Sequence, residues 1–246
     1  MKTPYVDLKL QWRKDKSKLL PLIEKVLSKG SYVIGEEVDK FEKSIAKYCN
    51  SKYAVAFNSG TDALTFGLIL LGVRKGDEVI TPPNSFISST SSIVHVGAKP
   101  VFADVLDDQN IDPKEIEKKI TNKTKAIMPV HLTGRVCRMN EIKKISNKYK
   151  IPIIEDAAQS IGSKYYNKKS GTFGAISCFS VHPLKNLNAC GDGGFFVTNN
   201  YEFFKKAKKL RNHGLEDRNI VKNYGYISRM DVVPVSYTHL TLPTKA

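Results

Sequence analysis

Residues 151–200 read IPIIEDAAQSIGSKYYNKKSGTFGAISCFSVHPLKNLNACGDGGFFVTNN, and this stretch decides the fold. Its first four residues, Ile151–Ile154, form an apolar run that is typical of a buried parallel strand. The run places Glu155 and Asp156 at the carboxyl end of that strand. Open α/β sheets keep their ligand sites at this end of the strands. The stretch therefore predicts an acidic pair at the functional edge of a sheet.

Two further apolar runs follow within the same stretch. Ala175–Ser180 predicts a strand that brings Ser180, and then Lys185, to the edge that carries the acidic pair. Phe195–Thr198 predicts another strand after a glycine-rich turn. An acid and a lysine on neighbouring strand ends suit a pyridoxal 5'-phosphate (PLP) site. The amine can form an imine with the cofactor aldehyde, while the carboxylate keeps the pyridine ring protonated. By residue type alone, Asp156 also suits a helix N-cap or a metal ligand, and Lys185 a solvated surface group.

A candidate anion site lies earlier in the chain. Tyr53–Phe57 predicts a strand, and the turn Asn58–Asp62 leads directly into an apolar helix that ends near Gly72. Gly60 and Thr61 would open this helix, whose first backbone N–H groups lack partners within the helix and favour an anion. Ser and Thr also cap helices, so the turn alone is only weakly diagnostic.

Strands alternate with helices over most of the chain. Further helices are predicted near residues 15–28, 36–48, 88–96, 113–120, 140–149 and 201–212, and further strands near 77–81, 99–104 and 124–130. Pro4–Trp12 is predicted to be an extended entry, and His131 to line the wall of the site without a chemical role. The alternation, with no internal repeat, predicts one α/β domain with a mostly parallel sheet.

Composition narrows the function classes. The chain has 246 residues, a formal net charge of +15, 41% hydrophobic residues and 26% charged residues. Its lysines are scattered along helical faces and are not gathered into one aromatic-rich patch, so no nucleic-acid partner is expected. No segment has the roughly 20 apolar residues of a membrane span, and no membrane partner is expected. The four cysteines show neither CxxC nor metal-ligand spacing, so no metal is expected and a reducing cytoplasm is the expected location.

The sequences of three segments resemble those of a known protein family. Glu155–Gln159 (EDAAQ), Phe179–Asn186 (FSVHPLKN) and Gly191–Gly194 (GDGG) closely resemble motifs of the DegT/DnrJ/EryC1/StrS family of PLP-dependent sugar aminotransferases. The resemblance runs from Pro4 to about Asp231. It implies the large domain of a fold-type-I PLP-dependent transferase, which is an α/β domain with a mostly parallel central sheet flanked by helices.

The resemblance also implies roles for seven residues. Lys185 is expected to bind the cofactor covalently and to move the substrate's α-proton, and Asp156 is expected to hold the protonated ring; these are the two catalytic candidates. Phe86 is expected to stack on the cofactor ring, and Gln159 to form a hydrogen bond with the ring hydroxyl. The phosphate is expected to be bound by Gly60, Thr61 and Ser180.

The implied reaction converts a nucleotide-linked keto-sugar into an amino sugar, with glutamate as the expected amino donor. The implied assembly, for a full-length protein, is a homodimer. In the family an Asn commonly reaches the partner subunit's cofactor phosphate, but Ile227 stands at that place here. Ser228 and Arg229 are the candidates to supply the contact instead.

The resemblance stops after Asp231, where the family continues into a smaller C-terminal domain. We therefore expect residues 1–231 to form the PLP-binding large domain and residues 232–246 to be a non-native tail. Val232, Val233 and Val235 would have nothing to pack against, so the tail should be mobile. A chain of this kind should not be a competent enzyme.

Three other functions are considered. A PLP-dependent sugar dehydratase of the same family would carry His in place of Lys185. A nicotinamide-dependent oxidoreductase would need G-x-G-x-x-G after the first strand, and the sequence NSGTDA from Asn58 does not supply it. The third alternative is a catalytically incompetent fragment that still binds PLP.

Overall fold

The computed structural model describes residue 4 and residues 6–241, with residues 239–241 described only as backbone. The helices in this part of the chain are α1 (Leu8–Ser28), α2 (Glu36–Tyr48), α3 (Gly60–Leu70), α4 (Ile87–His95), α5 (Pro113–Lys118), α6 (Met139–Tyr149), α7 (Tyr201–Leu210) and α8 (Val232–Thr241). The same residues include one 3₁₀ turn, Leu132–Gly134.

The strands form one continuous layer. They are β1 (Tyr53–Phe57), β2 (Glu78–Thr81), β3 (Lys99–Phe102), β4 (Thr124–Ile127), β5 (Ile154–Asp156), β8 (Ile176–Ser180) and β9 (Gly194–Thr198), with a small separate hairpin of β6 (Lys164–Tyr165) and β7 (Lys168–Lys169). The orders β1-β9-β8-β5 and β3-β2-β4 are joined by parallel bridges from Ile127 to Ile153 and from Val130 to Asp156. Among the described strands of this layer, β9 alone runs antiparallel to the others. The prediction of a mostly parallel sheet flanked by helices is confirmed.

Both faces of the sheet are covered because side chains alternate along each strand. On one face, Ala54 and Ala56 of β1 and Phe195 of β9 pack with Phe41 and Ile45 of α2. The opposite face buries the intervening residues of the same strands against α3 and α7. The middle strands therefore have no solvent-facing side, which explains their apolar sequences.

Two segments differ from the sequence-based expectation. Helix α1 begins at Leu8, because the side chain of Asp7 accepts a hydrogen bond from the backbone N–H of Leu10 at 2.9 Å and caps the helix. The expectation of an extended entry through Trp12 was therefore wrong. The second difference concerns residues 232–241, which form helix α8.

Helix α8 packs against α1 and α2. Val232 and Val235 are buried in the same core as α2, and Val233 lies at its edge. The expectation that this segment packs on nothing was wrong for residues 232–238. Residues 242–246 lie outside the described part of the chain, and the proposed domain boundary at Asp231 stays a prediction.

A buried carboxylate holds the centre of the sheet together. Glu155 of β5 is fully buried, and its two carboxylate oxygens accept five hydrogen bonds from other parts of the chain. The donors lie at 2.7–3.0 Å and are the N–H groups of Gly171, Phe173 and Gly174, the hydroxyl of Ser177 and Nε2 of His131. Burial alone would raise the pKa of Glu155, but these donors hold it below its ordinary value.

We predict that Glu155→Gln lowers the free energy of unfolding by about 3 kcal/mol or more, as breaking a buried charge network usually does. The new amide N–H₂ would face N–H donors that need an acceptor. Urea denaturation at neutral pH measures the change. Glu141→Gln is the matched control, because the Glu141 side chain is 49% exposed and lies 4.0 Å from Arg138; it should cost less than about 0.5 kcal/mol.

The loss of stability caused by Glu155→Gln should also depend on pH. Because the folded-state pKa of Glu155 is lowered, its contribution to stability is present above the ordinary glutamate pKa and is lost as the pH falls through the folded value. The gap between the wild-type protein and Glu155→Gln should therefore narrow in acid. An equal gap at all pH values would contradict an ionised Glu155.

Candidate active site

A cavity of about 440 Å³ opens at the edge of the sheet where the parallel strands end. It is bordered by the segments that follow β1, β2, β4, β5 and β8, as ligand sites in open α/β sheets usually are. All seven residues predicted from the sequence line this single cavity: Gly60, Thr61, Phe86, Asp156, Gln159, Ser180 and Lys185.

Asp156 is the buried acid of the cavity. It ends β5 and is only 5% exposed. One carboxylate oxygen accepts the hydroxyl of Ser89 at 2.7 Å, and the other accepts the backbone N–H of Ala158 at 3.2 Å. Burial raises the pKa of Asp156, while these two donors and the charge of Lys185 act in the opposite direction. The carboxylate is suited to bind a positively charged group that enters the cavity.

The N-terminus of α3 supplies anion donors. Ser59 caps the helix by accepting the N–H of Asp62 at 3.1 Å. The backbone N–H groups of Gly60 and Thr61 make no hydrogen bond within the described part of the chain, as is usual for the first residues of a helix. A Cβ on Gly60 would lie 2.8 Å from the Cβ of Ser180. Only glycine therefore lets the helix end and the end of β8 come this close.

Lys185 lies on a tight loop after β8. The loop is closed by a hydrogen bond from Ala189 N–H to the Val181 carbonyl at 2.7 Å, and Lys185 N–H donates to the His182 carbonyl at 2.8 Å. Lys185 is half-buried, and its amine has no hydrogen bond or ion pair with the residues that the structure describes. The fold thus presents an unpaired amine and a buried carboxylate to the same cavity.

Phe86 and Gln159 complete the predicted set. Phe86 stands at the N-cap of α4 and is 68% exposed, so it is not a core residue. The side-chain carbonyl of Gln159 accepts the backbone N–H of Thr133 at 2.7 Å. This bond fixes the amide group at the cavity wall, and its N–H₂ group donates to no described residue.

His131 is not part of the cavity wall, and that prediction was wrong. The ring is fully buried behind the site, and its neighbour Val130 lines the cavity instead. Nδ1 of His131 accepts the backbone N–H of Cys137 at 3.2 Å, so Nε2 carries the proton that is donated to Glu155. Alternation along the chain turns His131 away from the cavity.

Sequence reasoning missed two serines of α4. Ser88 lies 2.8 Å from the hydroxyl of Thr61, and Ser89 bonds Asp156, so one helical turn contacts both candidate regions of the site. The signal was present in the run of small hydroxyl residues that follows Phe86. Hydroxyl groups facing a cavity and hydroxyl groups facing solvent look alike in a sequence.

The segment after α7 holds the residues expected to contact a partner subunit. Ile227 is 62% exposed, whereas Ser228 is buried and its hydroxyl donates to the side chain of Asn58 at 3.2 Å. The guanidinium of Arg229 donates to the side chain of Asn212 at 3.2 Å. Both polar candidates are thus engaged within the chain, and their role toward a partner stays a prediction.

The described residues contain no group of three or more His, Cys, Asp and Glu side chains arranged to hold a metal ion. Among their helices, none combines the length and the apolar character that crossing a membrane requires.

Comparison with known proteins gives consistent matches. The family model of the DegT/DnrJ/EryC1/StrS aminotransferase family matches residues 13–236. The chain is 39% identical over 231 residues to the UDP-2-acetamido-2-deoxy-3-oxo-D-glucuronate aminotransferase of Pseudomonas aeruginosa; the match covers 93% of the chain and 64% of that protein. The chain spans slightly less than two thirds of the length of such curated relatives.

Solved structures match over the same range. The crystal structure of S. venezuelae DesV in complex with a ketimine intermediate superposes with a TM-score of 0.94 at 36% identity, covering 97% of this chain and 65% of that one. The structure of NtdA from Bacillus subtilis with bound cofactor PMP has a TM-score of 0.90 at 35% identity, covering 96% and 55%.

We predict that Gly60→Ala weakens binding of inorganic phosphate by at least about tenfold, equivalent to about 1.4 kcal/mol. The added Cβ would displace Ser180 or the first turn of α3. A titration followed by NMR, monitoring the amide resonances of residues 60 and 61, measures the dissociation constant. Thr65→Ala, in the same helix but outside the cavity lining, is the control. Equal binding by Gly60→Ala and the wild-type protein would rule out this helix end as the anion site.

Proposed function

Because the chain belongs to the DegT/DnrJ/EryC1/StrS aminotransferase family, we propose that it acts in a PLP-dependent sugar aminotransferase. The proposed substrate is a nucleotide-linked keto-sugar, which becomes an amino sugar, and glutamate is the proposed amino donor. The observation that carries this proposal is the meeting of a buried carboxylate, an unpaired amine and an open helix N-terminus in one cavity.

The donor set of the cavity fits PLP group by group. The free N–H groups of Gly60 and Thr61, with the hydroxyl of Ser180, suit a phosphate. Asp156 suits a protonated pyridine nitrogen, and Lys185 suits an aldehyde carbon. When bound, PLP supplies an aldehyde that captures amino groups and a ring that withdraws electrons from the carbon that loses its proton.

Asp156 has an electrostatic role in this proposal. Its carboxylate sits in a buried position, where an opposite charge interacts more strongly than it does in water. The two donors to Asp156 occupy one site on each oxygen, so lone pairs remain for an incoming N–H⁺ group. Asp156 would thereby hold a proton on the ring nitrogen throughout turnover.

Lys185 has the proton-transfer role. Its amine makes no ion pair within the described residues, so it can act as a base once the amino donor has displaced it from the cofactor. The nitrogen Nζ would take the proton from the α-carbon of the amino donor and return it to a neighbouring carbon. The presence of lysine at this position favours transamination over the dehydratase alternative, for which the family has histidine.

The proposal includes a substrate class and an assembly. The Pseudomonas aeruginosa relative is named for an oxo-sugar carried on UDP, which supports a nucleotide sugar here. Phe86, Ile87, Tyr224 and Ile227 are large hydrophobic residues that are 62–98% exposed. Burial of these side chains by a second copy would support the proposed homodimer of the full-length protein.

We predict that sodium borohydride fixes a pyridoxyl group on Lys185 when the protein is incubated with PLP. Peptide mapping by mass spectrometry identifies the labelled residue. Lys185→Arg keeps the positive charge but should lose the label, since the guanidinium does not react with the aldehyde. A pyridoxyl group on a different lysine of the wild-type protein would overturn the assignment.

We also predict that Asp156→Asn slows the glutamate half-reaction at least about a hundredfold, because preorganised charges contribute on this scale. Binding of PLP should weaken by less than about tenfold, since the phosphate donors at α3 remain. Single-turnover absorbance spectra measure the rate, and equilibrium titration measures the affinity. The matched control is Asp104→Asn, an exposed aspartate that follows β3 outside the cavity. Near-normal turnover by Asp156→Asn would refute the electrostatic role.

A further inference from the structure

The side-chain carboxylate of Asp156 receives only one hydrogen bond from another element of the described fold. The Ala158 N–H is a local donor two residues further along the same loop. The hydroxyl of Ser89, by contrast, reaches Asp156 from α4, across a sequence separation of 67 residues, at 2.7 Å. Ser89 is 1% exposed, so water does not compete for this bond.

We propose that Ser89 is a positioning residue that keeps Asp156 ionised and oriented toward the cavity. The proposal rests on the proposed function for the identity of the ligand, which is the protonated ring of PLP. The effect of Ser89 on the Asp156 carboxylate, however, does not depend on a bound ligand. It can therefore be measured in protein that holds no cofactor.

Ionisation is the first requirement. Burial favours the protonated form of Asp156, and a protonated carboxyl group presents a donor where the ligand also presents one. A hydroxyl that donates to the carboxylate favours the charged form. Hydrogen bonds to charged groups are about twice as strong as neutral ones. Among substitutions that alter no charge, removal of this bond should therefore have the largest effect on the pKa of Asp156.

The other titratable groups around Asp156 do not take over this role. Glu155 points to the opposite side of β5, where its five donors hold it. The ring of His131 is engaged with Glu155 and Cys137 and does not bond the side chain of Asp156. Cys178 pairs with Asp156 in register on β8, and its thiol donates to the Ala63 carbonyl. Lys185 lines the same cavity, and its charge favours ionised Asp156, but the two side chains form no ion pair.

Orientation is the second requirement. Ser89 and Ala158 each bind a different oxygen of Asp156, so the plane of the carboxylate is fixed from both sides. A serine inside a helix usually returns its hydroxyl to a carbonyl of the preceding turn. Ser92 does so, donating to the Ser89 carbonyl at 3.0 Å. Ser89 instead directs its hydroxyl out of the helix and onto the site.

Helix α4 therefore provides its own matched control. Ser89 and Ser92 are both buried, belong to the same helix and differ in what their hydroxyls contact. The variants are Ser89→Ala, Ser92→Ala and Ser89→Thr, the last of which keeps a hydroxyl. Each is examined without cofactor and after incubation with PLP.

The first measurement is the pKa of Asp156 in cofactor-free protein, from the carboxyl ¹³C resonance followed by NMR against pH. Ser89→Ala should raise this pKa by about one pH unit or more, as expected for losing a hydrogen bond to a charged group. Ser92→Ala should leave it unchanged, and Ser89→Thr should restore most of the wild-type value. The second measurement is the pH dependence of the absorbance of bound PLP, which should change in Ser89→Ala alone.

The outcomes separate the two proposals. If Ser89→Ala and Ser92→Ala give the same pKa for Asp156, Ser89 has no positioning role and the inference is wrong. If the Ser89→Ala pKa rises but the wild-type protein takes no pyridoxyl group at Lys185, the proposed function fails and the effect of Ser89 on Asp156 stands. A raised pKa together with a changed absorbance profile supports both.

Discussion

The buried carboxylate of Glu155 is the constraint on which the rest of the structure depends. Strand β5 has only three residues, so few ladder bonds hold it in the middle of the sheet. The side chain of Glu155 compensates by accepting five hydrogen bonds from three separate segments of the chain. These bonds fix the end of β5 relative to the start of β8 and the loop after β4. The cavity is built on those strand ends.

The same short strand supplies the candidate site because side chains alternate along it. Glu155 faces the interior behind the sheet, and Asp156, one residue later, faces the cavity. Helix α4 then approaches from outside and supplies Phe86, Ser88 and Ser89 within one turn and its cap. Rigid elements hold these groups on two sides, while the amine of Lys185 is carried by a loop. This division suits a site in which one group must move and the others must not.

Much of this arrangement could be predicted from the sequence, and the exceptions share a physical cause. Apolar runs such as Tyr53–Phe57 predicted strands with the observed limits, because a strand that is buried on both faces needs apolar residues at nearly every position. The direction of β9 and the packing of α8 depend on contacts between distant segments, which local patterns do not record. The orientations of His131 and Ser89 depend on side-chain alternation and rotamers for the same reason. The meeting of Asp156 and Lys185 could be predicted because the order of elements already determines which strand ends lie together, whereas Phe86 and Gln159 were predicted from the family resemblance.

The contrast between the two neighbouring carboxylates explains which of them can serve a ligand. An ionised carboxylate has about four lone-pair sites, and Glu155 already accepts five hydrogen bonds, so it has no acceptor capacity left for a further group. Asp156 accepts two and keeps unused sites at the cavity. The pKa directions agree with this difference: that of Glu155 is lowered by its many donors, and that of Asp156 is raised by burial that few donors offset. A cation in the cavity would complete the hydrogen bonding of Asp156, whereas nothing remains to be completed at Glu155. In the proposed function, the saturated carboxylate stabilises the fold and the unsaturated one serves the ligand, although the two residues are adjacent in the sequence.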